Sequence, residues 1–110
     1  MNLKKEELHI TFTPKLEANY KDFFQSFNNV ADDYKENNII IDFSNFSISI
    51  DELLQFKNIS KKKITLGTSF VIIKSGIDLD EIPDELIIVP TFQEAIDIID
   101  MDEMTRSLDF

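Results

Sequence analysis

No cysteine occurs in this chain, which excludes disulfide staples, thiolate nucleophiles and thiolate metal sites. Tryptophan is absent too, and His9 is the only histidine. One imidazole cannot build a His-based metal cluster, and it leaves no second base for a nucleophilic triad. Glycine is nearly as scarce. Gly67 and Gly76 stand alone, so neither a phosphate-cradling loop nor a dinucleotide fingerprint is present. With so few glycines and only three prolines, the chain is not a linker or a low-complexity polymer. Its apolar runs, Ile39–Ile41 among them, fall far short of the about 20 residues a membrane helix needs. Met1–Glu7 lacks the apolar stretch of a secretion signal, so a cytoplasmic protein is expected.

Positive charge is missing from one region in particular. Residues 1–77 hold ten Lys against ten Asp or Glu, whereas residues 78–110 hold eleven acids and Arg106 alone. The whole net charge of −10 therefore belongs to the last third. Such a field repels phosphate backbones and anionic lipid, which argues against nucleic acid and membrane as partners. A protein with a basic surface fits better.

What the chain does contain is core material. Ten Phe and many Ile within 110 residues suffice for one packed domain, because bulky apolar side chains bury the most area per residue. Leu8, Ile10 and Phe12 alternate with His9, Thr11 and Thr13, which predicts a first strand over Glu7–Thr13 stopped by Pro14. Tyr20, Phe23, Phe24, Phe27, Val30, Ala31 and Tyr34 recur at steps of three and four and predict a helix from Asn19 to Glu36. Ile39–Phe43 reads as a central strand covered on both faces.

Ser49 and Glu52 form a capping-box pattern that opens a second helix, fading at Ser60–Lys63. Ser69–Lys74 and Leu86–Val89 read as further strands, with at most a short helix over Asp78–Glu85 between them. Thr91 and Glu94 repeat the capping pattern before a last helix with Phe92, Ala95, Ile96 and Ile99 on its buried face. Strands alternating with helices predict a small layered α/β domain, a mostly parallel four-stranded sheet with helices packed against it. Residues 1–110 form one domain, with residues 101–110 an acidic C-terminal helical tail.

Candidate chemistry is thin. His9 reads as an exposed structural residue of its strand. Asp78, Asp80 and Glu81, and again Asp97, Asp100, Asp102 and Glu103, read as solvated acidic faces, because the spacing of a calcium loop is absent. Lys61, Lys62 and Lys63 read as a solvated helix end whose cations favour the helix dipole. No catalytic residue, metal site or cofactor is predicted.

The stretch Ile39-Ile40-Ile41-Asp42-Phe43-Ser44-Asn45-Phe46, a hydrophobic strand running into Asp-Phe-Ser, resembles the central strand and loop of the STAS domain of anti-sigma factor antagonists. Val89-Pro90-Thr91-Phe92-Gln93-Glu94-Ala95 is similar to the start of that family's final helix, and the order of elements agrees over about residues 7–99. The resemblance implies a regulatory module that works by binding proteins. In antagonists switched by phosphorylation, Asp-Ser-Ser-Gly opens the second helix. Counted from Asp42, the corresponding stretch is Ile50-Asp51-Glu52-Leu53, which leaves Glu52 at the phosphoacceptor-equivalent position without a hydroxyl. Glu52 then either stands in for phosphoserine with a permanent charge or completes the capping box with Ser49, the simpler expectation.

The tail Pro90–Phe110 also resembles that of short STAS-like proteins bearing the name ribonuclease Z. That enzyme is a two-zinc hydrolase needing a His-rich cluster, an activity one histidine excludes, so such a name would signify a companion protein or a misapplied label. The expectation is therefore a non-enzymatic regulatory or accessory protein. The alternatives are a small carboxylate-based hydrolase or lyase working through Asp78–Glu85, or a companion of ribonuclease Z. Partner contact is expected at a loop of Ser44, Asn45, Ser47, Ser49, Asp51 and Glu52. A second contact is expected at the tail residues Met101, Met104, Leu108 and Phe110, the first three of which form a narrow apolar seam.

Overall fold

A computed structural model describes residues 1–108. The chain runs β1 (Asn2–Lys5), β2 (Ile10–Thr13), α1 (Tyr20–Ala31), β3 (Ile39–Asp42), α2 (Ile50–Leu54), α3 (Lys57–Thr65), β4 (Phe70–Ile73), β5 (Ile87–Val89) and α4 (Phe92–Leu108). A 3₁₀ turn over Asp32–Tyr34 extends α1, and another over Leu79–Glu81 lies between β4 and β5.

The five strands follow chain order across the sheet. The four expected strands are parallel neighbours, Ile10 pairing with Ile39, Ile39 with Phe70 and Val71 with Ile87. The expectation of four mostly parallel strands is corrected by β1, an antiparallel edge strand pairing Leu3 with Phe12 and Lys4 with Thr11. β1 escapes a hydrophobicity reading because all four of its residues are exposed. The first predicted strand also shortens at its start, since Glu7 and Leu8 belong to the β1–β2 connection.

Alternation along the strands divides the core in two. Ile10, Phe12, Ile39, Ile41, Phe70, Ile72 and Ile88 point to one face, where they pack with Phe23 and Phe27 of α1, Leu53 of α2, and Phe56. Ile40, Val71 and Ile73 point to the other, where they meet Ala95 and Ile99 of α4. Each crossover from β2 to β5 advances one strand in the same direction, and crossovers of one hand then fall on one side. Among the described residues only α4, re-entering after Pro90, covers the opposite face.

The second predicted helix is two helices. α2 ends at Gln55, whose N–H bonds Glu52 O, and α3 starts after Phe56, a wholly buried side chain at the break. Lys63 corrects the reading of a solvated helix end. Lys61 and Lys62 are exposed, but Lys63 is buried and donates to the carbonyls of Tyr34 (3.0 Å), Lys35 and Asn37 where the chain leaves α1. Burial pushes its ammonium down to about 8.

Candidate functional site

The edge formed by the C-terminal ends of the parallel strands gathers the sequence-predicted loop. β3 ends at Asp42, whose Oδ1 accepts the Ser44 N–H at 3.0 Å and the Ser44 hydroxyl, an Asx-type turn that leads the chain off the sheet. Lys74, just past β4, donates to Phe46 O at 2.7 Å and clasps the loop from the neighbouring strand. Phe46 stacks on Phe43 at 5.5 Å, and Ile48 is buried. These anchors leave Ser44, Asn45, Ser47 and Ser49 exposed between fixed points.

Ser49 caps α2. Its hydroxyl accepts the Glu52 N–H at 3.1 Å, while Glu52 Oε1 accepts the Ser49 N–H at 2.9 Å, so the capping box is complete. Glu52 is thus drawn back onto the helix end, and Asp51 beside it is exposed. Tyr20 of α1 braces the same turn, donating its hydroxyl to Glu52 O (3.1 Å) and Gln55 Oε1 (2.6 Å). Burial, and next the Glu52 charge, push the Tyr20 phenol up to about 12.

Sequence reasoning missed Leu16. It lies on the β2–α1 connection, is 92% exposed, and lines a shallow hollow of about 70 Å³ with Asp42, Ser44, Asn45 and Phe46. An isolated Leu between Lys15 and Glu17 carries no periodic signal, and only the parallel pairing of β2 with β3 brings it beside the loop.

Asp78 caps the following 3₁₀ turn through its bond from the Asp80 N–H, and Asp78, Asp80, Glu81 and Asp84 face solvent. Among the described residues no three His, Asp or Glu side chains converge on a possible ion position. His9 is half-buried rather than exposed, with its ring edge-on to Phe92 at 6.0 Å and Nε2 shielded.

The tail also departs from expectation. Asp102 and Glu103 do not form a solvated face. Ser69 Oγ donates to Asp102 at 2.6 Å, and Asn38 Nδ2 donates both to Glu103 Oε1 and to Leu8 O, each at 2.8 Å. Arg106 donates to Glu103 Oε1 at 2.7 Å and to Asn38 Oδ1 at 3.1 Å. The Arg106 and Asn38 hydrogen bonds hold the Glu103 carboxyl below its ordinary range. Met101, Met104 and Leu108 are exposed, and Phe110 lies outside the described residues.

No protein-family model matches this chain, and a search of curated proteins finds no significant match. Among the described residues no helix is long and apolar enough to cross a membrane.

Proposed function

We propose that this chain is a non-enzymatic regulatory module, similar to the STAS domains of anti-sigma factor antagonists, that acts by presenting its β3–α2 edge to a protein partner. The observation that supports the reading is the edge itself, an anchored loop of exposed hydroxyls beside the exposed Leu16. A rigid loop with one apolar protrusion suits contact with another surface. The winding of the sheet agrees. Ligand crevices in open α/β sheets form where strand order reverses, and β2 to β5 advance without a reversal. Glu52, at the phosphoacceptor-equivalent position, carries a fixed charge with no hydroxyl to modify.

The test is capture of partners from the native host by the immobilised full chain, identified by mass spectrometry. A partner retained by the unaltered protein and lost with Leu16→Asp or Ser44→Arg, both folded by circular dichroism, supports the reading. A partner held equally by those variants, or turnover of a captured small molecule, defeats it.

A further inference from the structure

The C-terminal half of α4 is mounted the reverse way from an ordinary amphipathic helix. Its inward side is polar, since Asp102, Glu103 and Arg106 bond to Asn38 and Ser69, the residues immediately before β3 and β4. Its outward side carries Met101, Met104 and Leu108, which are 66%, 64% and 74% exposed. Rolling the helix to bury that stripe would break these bonds to the residues preceding two different strands together. The apolar stripe is therefore held open by the fold.

The surrounding charge indicates what it would accept. Asp97 lies on the stripe one turn before Met101, Glu94 and Asp100 flank it, and all three are exposed. The only cation of residues 78–110, Arg106, is turned inward onto Glu103. We propose that this stripe docks a basic amphipathic helix of a partner protein, with apolar anchors on Met101, Met104 and Leu108 and Lys or Arg heads on Asp97, Asp100 and Glu94. Methionine suits such a role because its flexible thioether adapts to differently shaped anchors. Asp97 to Leu108 spans about 17 Å, the three turns over which such helices place anchors at i, i+3 or i+4, and i+7. A second copy fits poorly, because a two-fold contact sets the acidic rim against itself. The stripe lies toward the start of β3 and β4, away from the β3–α2 loop, so the two surfaces can fail independently.

The experiment measures fluorescence anisotropy of the full chain with a labelled peptide of about fourteen residues, Leu and Lys at helical spacing, beside a Leu–Glu counterpart. The Leu–Lys peptide binds and the Leu–Glu peptide does not. Met101→Ser with Met104→Ser weakens binding about tenfold or more, with helix content and melting temperature retained. Asp97→Asn with Asp100→Asn weakens it as well and flattens its decline between about 0.05 and 0.5 M salt. Leu16→Asp leaves it unchanged. Binding that survives the methionine changes is diffuse charge attraction and overturns the proposal, as does absence of binding to the Leu–Lys peptide. Sedimentation as a dimer that the methionine changes return to monomer overturns it too, by giving the stripe to a second copy.

Discussion

The two faces of the sheet are built by different means. One carries an aromatic core in which Phe12, Phe23, Phe27, Phe43, Phe56 and Phe70 are buried under α1, α2 and α3, with ring pairs such as Phe12–Phe27 at 5.1 Å. The other is aliphatic, small and, among the described residues, covered by α4 alone, whose far half is secured by hydrogen bonds rather than by apolar burial. Five strands at about 4.8 Å spacing are roughly twice as wide as one helix of about 10 Å, so a single helix leaves flanks. Grooves of about 360 Å³ beside Phe92 and Ile96, and of about 430 Å³ beside Ile98 and Ile87, mark them. The aromatic face thus stores stability, while the single-helix face leaves surface to spare.

The sharpest way to break this contrast is to truncate one anchor on each face. Phe56→Ala empties a site at the junction of α2 and α3, edge-on to Phe24 at 5.1 Å, and should cost about 3–5 kcal/mol in urea unfolding. Ile99→Ala on the other face should cost less, about 2–3 kcal/mol, because open flanks beside α4 let neighbours relax. Equal losses, from the smaller side chain removed on the α4 face, would mean that this face is the more tightly packed.

Next in size is the response to alkali. Lys63 has an ordinary value of 10.5 and is pushed to about 8 in the folded chain, so between those values the unfolded state binds the extra proton. Stability should therefore rise with pH across that window, by no more than about 3 kcal/mol. Tyr20 acts oppositely. Its phenol ionises near 10 when unfolded and near 12 when folded, so stability falls as pH climbs above 10. Chemical denaturation should show a maximum near pH 10, with the rising limb absent in Lys63→Met and the falling limb absent in Tyr20→Phe. A flat profile from pH 8 to 10 would show that the three carbonyls around Lys63 offset its burial.

The capping box should register more modestly. Glu52→Ala removes the bond to the Ser49 N–H and should lower stability by about 0.5–2 kcal/mol. Unchanged stability with lost partner capture would make the Glu52 charge the functional feature instead.

Sequence periodicity was enough to find the parallel strands, α1 and both helix starts at Ser49 and Thr91, because each has a local signature that the fold retains. What it could not supply were features set by distant partners. β1 has no apolar alternation to read and exists because β2 offers an edge. Lys63 sits in a lysine run that looks solvated until α1 supplies carbonyls to receive it. The candidate loop was legible as far as its residues, through the resemblance carried by Ile39–Phe46 and the capping pattern of Ser49 and Glu52, whereas the turn at Asp42 and Ser44 was not read. Leu16 and Lys74 join it only through strand pairing. The inward turn of Asp102, Glu103 and Arg106 likewise depends on Asn38 and Ser69, more than thirty residues away along the chain.

The smallest expected effect distinguishes the faces by acid. Glu103 binds Arg106 and Asn38 at 2.7 and 2.8 Å, and both hold its carboxyl below the ordinary value, so the folded state releases the proton at lower pH than the unfolded one. Its contribution is therefore present above the ordinary carboxylate range and is lost as pH falls through the depressed folded value. Because the pair is only partly shielded from solvent, the loss should stay under about 1 kcal/mol and shrink in high salt. It should nevertheless be local, since the network secures only the far half of α4. Amide exchange measured at falling pH, corrected for intrinsic rates, should show Met104–Leu108 losing protection before β3 and β4. Glu103→Gln should remove that acid step while keeping the bond from Asn38. Simultaneous loss of protection in α4 and the central strands would show that the single-helix face opens only with the whole domain.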